Sequence, residues 1–371
     1  MKILGSVLVA VVLALAPAAV PAQEKPFDPG LAALAQDKPA ADKVDLAIGK
    51  AIEFLISVQD KDGAIHEPNV NHNLTAMTSM AVMAMAAVGH QPADDTKQGA
   101  AMKKALSYVL RPDRQDVKGY LGGRDGSRMY GHGITTLMLS EMLGMGVDAQ
   151  MDQVLRDRCR LAIEMIKSSQ QVNKDPRNKG GWRYGPDSTD SDLSVTVWQV
   201  MALRSARNAG LDVPKELIDN AVDYIKRCYQ SKRGADGKPE NMKSACGYEP
   251  GRQPEYAMAA AGLLSMQVCG AYDSPEVKGS ADWLKDKKVE YGSEWYFYGT
   301  YYYAQGMFQR GGDYATGARK VVEESLLPKQ GPDGSWQGQS GQERGAGKVY
   351  ATSLAMLSLA VKFHFLPIYQ R

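Results

Sequence analysis

From about residue 45 onward the chain alternates between two kinds of apolar segment. In the first kind, such as AIGKAIEFLISVQ, apolar residues recur three and four positions apart, as at Ala51, Phe54, Leu55 and Val58, with charges between them. That spacing lays one apolar stripe along an α-helix and leaves the opposite face to water. In the second kind, such as NLTAMTSMAVMAMAAVGH, charge is nearly absent and Ala, Met and Leu surround the helix, which is the composition of a helix buried on most sides. The two kinds alternate through six pairs, ending with GARKVVEESLL and VYATSLAMLSLAVKF. The pattern predicts an all-α protein in which charged helices lie outside and apolar helices inside.

The period is roughly 55 residues, longer than the ~34 of a tetratricopeptide array, with a glycine-rich turn inside each unit. A linear solenoid needs polar capping repeats at its ends. Here the last helix, Tyr350 to Phe363, is as apolar as the central ones. Six pairs closed into an (α/α)6 toroid hide both ends against each other; an open superhelix is the alternative.

Composition narrows the setting. Residues 1–22 carry one lysine, an unbroken apolar run and a small-residue end, the pattern of a cleaved export signal, which implies a periplasmic or extracellular protein. Residues 23–44 are rich in Pro, Ala and Asp and read as a flexible lead-in, leaving 45–371 for the toroid. No later apolar run is long enough to span a bilayer. The net charge of +2 is spread along the chain, so no nucleic-acid footprint exists. Four cysteines in an exported chain allow up to two disulfides, and Cys228 with Cys246 is the expected pair.

One motif recurs. Gln330, Gly334 and Trp336 form Q-x-x-x-G-x-W, and Gln59, Gly63 and Ile65 form a weaker copy. Together with Gly180-Gly181-Trp182 and the six helix pairs, this resembles the prenyltransferase/squalene-oxidase repeat of the squalene–hopene cyclase superfamily. The resemblance implies a terpenoid-cyclase-like toroid; the motif itself implies fold and not activity. Glycine permits a tight turn, and glutamine bonds free helix-end groups that tryptophan covers.

The activities of similar proteins make separate demands on the residues. The cyclases carry Asp-x-Asp-Asp, and the nearest match keeps Asp192 but has Leu193 where the third Asp belongs. Prenyltransferase β-subunits bind zinc through Asp-x-Cys; those letters occur at Asp157 and Cys159 inside a charged outer helix, without metal-ligand spacing elsewhere. Complement-type thioester domains need Cys and Gln three apart, and Glu249 follows Cys246 instead. Neither a metal nor an organic cofactor is implied.

The candidate chemistry gathers on the inner helices. Asp192, Thr196 and Gln199 share one helical face, which suits a stripe lining a central cavity. Asp192 also sits where a helix N-cap belongs, with Ser194 beside it, and cap and acid are compatible roles. His132, between two glycines and next to Tyr130, is a second acid or base candidate that the toroid would bring near Asp192. In SEWYFYGTYYYAQGMF, Trp295, Tyr298 and Tyr302 line one face and Tyr301 another. So many buried hydroxyls need partners, so part of this wall should face a wet or ligand-filled cavity. Arg183 and Tyr184 would rim the same opening.

Three functions compete at this level. An isoprenoid or other hydrophobic ligand would use Asp192 as acid and the aromatics as wall, in the manner of a terpene cyclase, an isomerase. A carbohydrate-active (α/α)6 enzyme, hydrolase or lyase, would pair carboxylates drawn from Asp192, Glu255 and Glu294. A non-catalytic protein-interaction scaffold needs neither.

Overall fold

The computed structural model describes residues 42–370 apart from 146, 147 and 288. The expected export signal lies outside the described residues. The helical unit begins at Asp42, three residues before the expected boundary. Asp42 belongs to it physically: its carboxylate accepts from Asp45 N at 2.8 Å as an N-cap and pairs with Lys362 at 2.6 Å.

The charged outer helices are α1 (Lys43–Ser57), α3 (Lys97–Val109), α5 (Ala149–Gln170), α7 (Lys215–Cys228), α9 (Pro275–Lys285) and α11 (Gly312–Leu326). The apolar inner helices are α2 (Leu74–Ala86), α4 (Arg128–Met142), α6 (Leu193–Asn208), α8 (Tyr256–Val268), α10 (Tyr296–Arg310) and α13 (Gly347–Leu359), with a short α12 (Gly341–Gly345) before the last. The pairing follows the sequence pattern. Every residue of α2 from Thr75 to Ala86 is buried, whereas α1 buries only the stripe Val44, Ala47, Ile48, Ala51, Ile52, Phe54 and Leu55. No strand occurs among the described residues.

Each inner helix packs on the next, and α13 packs back on α2, so the ring is closed. The repeated glutamine explains how. Gln330 Nε2 donates to Gly334 O within its own turn and to Ala47 O on α1, both at 2.8 Å, stapling the last outer helix to the first. Gln59 reaches Gly63 O and Ala101 O in the same way, Gln115 reaches Gly119 O and Arg158 O, and Gln170 reaches Gly180 O and Leu217 O. The motif thus ties one outer helix to the body of the next, and four of the six repeats carry it. Between α7 and α9 an Arg233–Glu276 ion pair takes its place. Between α9 and α11 the Tyr314 hydroxyl donates to Asp282.

The turn's second tie comes from the inner helix. Trp336 N donates to Thr352 Oγ1, Trp182 N to Thr196 Oγ1 and Ile65 N to Thr78 Oγ1, each at 3.0 Å. The indoles of Trp336 and Trp182 donate to Leu326 O and Ile166 O and are buried.

All four cysteines are free thiols, including the expected pair. The register of the turn places Tyr229 opposite Cys246 and leaves Cys228 bonded to Gly247, whose N–H it accepts at 3.1 Å. Asp157 and Cys159 lie on different faces of α5: Asp157 is solvent-exposed, while Cys159 is fully buried beside Ser140. Among the described residues no group of His, Cys, Asp and Glu is arranged to hold a metal ion, and no helix is long and apolar enough to cross a membrane.

Candidate functional site

The inner-helix N-termini gather at one end of the ring, where the turn of the following repeat meets five of the six. Tyr184 O accepts from Met129 N at the start of α4, and Tyr248 O from Leu193 N at the start of α6. Carboxylates serve three other helices: Asp125 accepts from Thr75 N, Glu343 from Tyr298 N and Glu67 from Val349 N. Negative groups here oppose the partial positive charge of the helix starts. The same end holds three non-glycine residues in the left-handed region, Asn73, Arg128 and Trp295, with φ of 56°, 55° and 58°. Each such conformation costs about 1–2 kcal/mol, and strain of this kind concentrates at functional openings.

Asp192 lies at this end of the ring, fully buried beneath the half-buried Arg183, Tyr184 and Tyr248. Its Oδ1 accepts from Val195 N at 2.8 Å and Ser194 Oγ at 2.7 Å, so it is the N-cap of α6. Its fully buried Oδ2 has no aligned hydrogen-bond donor and faces Arg183 Nε at 3.3 Å. Burial pushes its pKa up, and the Val195 amide, Ser194 and Arg183 pull against that; the net direction is upward. Arg183 also donates to Glu249 Oε1 at 2.7 Å and lies over the Tyr184 and Tyr248 rings, 4.9 and 5.5 Å from their centroids. With Asp190 Oδ2 at 3.5 Å as well, one guanidinium therefore bridges three carboxylates, the exposed Asp190, the buried Asp192 and, from the next repeat, Glu249. The acidic stretch before α6 is cap and cluster at once.

Tyrosines complete the wall. Tyr184 and Tyr248 hydroxyls bond each other, and the Tyr130 hydroxyl bonds Ser194 Oγ. Tyr298 OH donates to Ser194 O at 2.9 Å. Tyr130, Tyr184, Tyr248 and Trp295 are half-buried, so part of each ring meets solvent.

Other expected site residues do not face this mouth. His132 is fully buried: its Nδ1 accepts from Leu121 N at 3.2 Å and its Nε2 donates to Ala162 O at 3.1 Å. It holds the turn-tie position that Thr78, Thr196 and Thr352 hold in other repeats, and it makes no contact with Asp192. Burial lowers its pKa to about 4, which matches a neutral ring with one donor and one acceptor nitrogen. Thr196 is likewise a turn tie, and Gln199 Nε2 donates to Met129 O at 2.8 Å, holding α4 to α6. The polar stripe exists, yet beyond Asp192 it faces protein.

Tyr301 and Tyr302 lie deep in the ring. Trp198 stacks on Tyr301 at 5.9 Å and 12°, and its Nε1 donates to Tyr298 OH at 3.1 Å. The Tyr301 hydroxyl meets that of Tyr369 from the C-terminal segment, and Ile368 N donates to buried Glu141 at 3.2 Å. The chain end thus fills the ring from the side opposite the mouth. Glu255 and Glu294 are both exposed. Glu249, overlooked as a partner carboxylate, shares Arg183 with Asp192. A usable signal was present: Trp182-Arg183-Tyr184-Gly-Pro and Gly247-Tyr248-Glu249-Pro are the same turn in successive repeats.

Fold and mouth together define a class: an (α/α)6 toroid, the architecture that glycosidases and terpene cyclases share. The GH76A α-1,6-mannanase of Salegentibacter sp. HEL1_6, in complex with α-1,6-mannotriose, superposes with a TM-score of 0.62 at 12% identity over 86% of this chain and 99% of the other. The type II terpene cyclase MstE from Scytonema, in complex with geranylgeranyl dihydroxybenzoate, superposes at 0.55 with 13% identity over 88% and 98%. A D-mannose isomerase gives 0.54 and 13% over 88% and 100%. No protein-family model matches the sequence, nor does any curated protein.

Proposed function

We propose that the mouth binds a glycan and that Asp192 and Glu249 are its acid pair, in a protein acting outside the cytoplasm. One observation carries this reading: Asp192 and Glu249 joined by Arg183 beside tyrosines whose hydroxyls are bonded and whose rings are half-buried. A guanidinium touching both acids keeps their oxygens within the ~9.5 Å that glycosidase pairs span. Asp192, with its raised pKa, suits the proton donor, and Glu249, half-exposed on Arg183, suits the second carboxylate.

The polar mouth also selects between ligands. A hydrocarbon pressed against Asp192, Ser194 and Arg183 would remove water without supplying hydrogen bonds, at about 1–3 kcal/mol for each group left unmet. Sugar hydroxyls supply those bonds, and the faces of half-buried Tyr130, Tyr184, Tyr248 and Trp295 supply stacking surface. An isoprenoid is the second reading, favoured by the Trp198, Tyr298, Tyr301 and Tyr302 rings below Asp192. It requires those rings and Tyr369 to make room.

The test is thermal denaturation with α-1,6-mannooligosaccharides, other oligosaccharides and polyprenols, since a ligand of the folded state raises the midpoint. An oligosaccharide should raise it, and Asp192→Ser should abolish the rise while keeping the fold, because Ser also caps. Stabilisation by a polyprenol alone would overturn the glycan reading in favour of the second, and no response to either class would overturn both. Release of reducing ends by the wild type, lost in Glu249→Gln, would establish hydrolysis.

A further inference from the structure

Four repeats carry the Gln–Gly tie, and one of them is longer than the rest. Gln59 and Gly63, Gln115 and Gly119, and Gln330 and Gly334 are four positions apart, whereas Gln170 and Gly180 are ten apart. The tie itself is unchanged, with Gln170 Nε2 donating to Gly180 O at 3.0 Å and Leu217 O at 2.9 Å. The six additional residues also bind their surroundings: Asn178 Oδ1 accepts from Ser191 N at 2.9 Å and Asn178 O from Ser191 Oγ at 2.8 Å, Arg177 donates to Pro250 O, and Arg227 donates to Lys179 O. They rise beside the start of α7, and between the two lies a cavity of about 480 Å³. That volume falls within the ~300–1,000 Å³ of small-molecule sites.

The lining states the chemistry. It holds Lys167, Lys174 and Lys179 against the single acid Glu216, with the amides of Asn173 and Asn220, and no aromatic ring. Lys167 is occupied by Glu164 at 3.3 Å on the surface. Among the described residues neither Lys174 nor Lys179 pairs with a carboxylate. The half-buried Lys174 ammonium donates to Gly181 O at 2.7 Å, Ser191 Oγ at 3.2 Å and Asp190 O at 3.3 Å, all neutral acceptors. Burial lowers its pKa to about 8, against the smaller upward pull of the Asp190 and Asp192 carboxylates. Stacking on a bare sugar ring would need an aromatic face this cavity lacks.

We propose that the cavity is a second ligand site, separate from the mouth, for a small molecule carrying an oxyanion, carboxylate or phosphate, with Lys174 and Lys179 as its counter-ions. The six-residue insertion is the device that builds it, consistent with the way surface insertions carry binding function on a repeated scaffold.

The test is calorimetric titration of the full chain with galacturonate, glucose 6-phosphate and, as neutral control, galactose. At least one anion should bind and galactose should not; the tighter anion identifies the headgroup. Lys179→Glu should weaken that binding by about tenfold or more, while its melting midpoint without ligand stays that of the wild type, because Lys179 is exposed. A second readout locates the site: acetylation of the Lys174 amine near pH 8, followed by mass spectrometry, should slow when the bound anion is present. Binding of neither anion, equal binding of galactose, undiminished binding by Lys179→Glu, or unprotected Lys174 would each overturn the proposal. The mouth is read separately through Asp192→Ser, so failure of one site does not imply failure of the other.

Discussion

At the scale of single residues, two buried groups make opposite use of burial. Glu141 is 2% exposed, accepts from Ser205 Oγ and from Ile368 N, and burial raises its pKa to about 7. The folded protein therefore holds a proton that the unfolded chain releases near its ordinary value of 4.5. The contribution to stability is complete below about pH 4.5, falls as pH rises, and is lost by about pH 7. Glu141→Gln, whose oxygen still accepts from Ile368 N while its amide donates to a rotated Ser205 hydroxyl, should remove this loss. Urea denaturation at pH 5 and pH 8 should show the variant gaining on wild type at pH 8 by on the order of 2 kcal/mol; equal pH dependence would place the titrating group elsewhere. Glu343, pushed to about 7 by the same cause, remains as a background slope in both proteins. His132 makes the complementary case, a neutral ring serving as a turn tie. His132→Thr should be more stable than His132→Val by about 1 kcal/mol, the value of one buried hydrogen bond from Leu121 N. Both variants should keep the ligand response of the mouth. Loss of that response in both, with the fold intact, would return His132 to the site.

At the scale of elements, the tie between neighbouring outer helices rests on glycine as much as on glutamine. Gly334 has φ +86°, and a Cβ placed there would lie 2.3 Å from Lys50 O on α1. Gly210 has a similar φ of +79° with open space around it. Gly210→Ala should therefore cost only the left-handed strain, about 1–2 kcal/mol, whereas Gly334→Ala adds a collision with backbone that cannot move without tilting α1. Chemical denaturation of the two variants isolates the tie. Equal losses would mean that α1 yields easily and the staple is soft.

At the scale of the whole molecule, closure changes what a truncation does. In a linear solenoid each repeat touches only its neighbours, so removing an end repeat leaves a shorter stable array. Here α13 packs on both α10 and α2, and Gln330 binds α1. Deleting residues 346–371 removes that closure, together with Tyr369 from the ring interior, and exposes the apolar faces of α2 and α10. The truncated chain should lose cooperative unfolding by circular dichroism and be digested at protease levels that wild type survives. A cooperative, protease-resistant product would mean that the ring is not the cooperative unit.

The sequence by itself determined the number of helix pairs, which member of each pair is buried, and the capping role of Asp192. All three follow from local rules: the period of apolar residues, the charge on one face, and the spacing of Asp192 from the amides just after it. Ring closure was favoured by the apolar last helix, but only packing of α13 on α2 decided it. The turn ties of Gln115 and Gln170 were hidden, because Leu121 replaces tryptophan in one and six extra residues split the other. The mouth belongs to tertiary structure almost entirely. Asp192, Arg183 and Glu249 meet because the turn of each repeat reaches back to the helix start of the one before, a contact between residues far apart in the chain. His132 and Thr196 carry chemistry in their letters, yet their direction within the ring turned that chemistry toward the backbone of a turn.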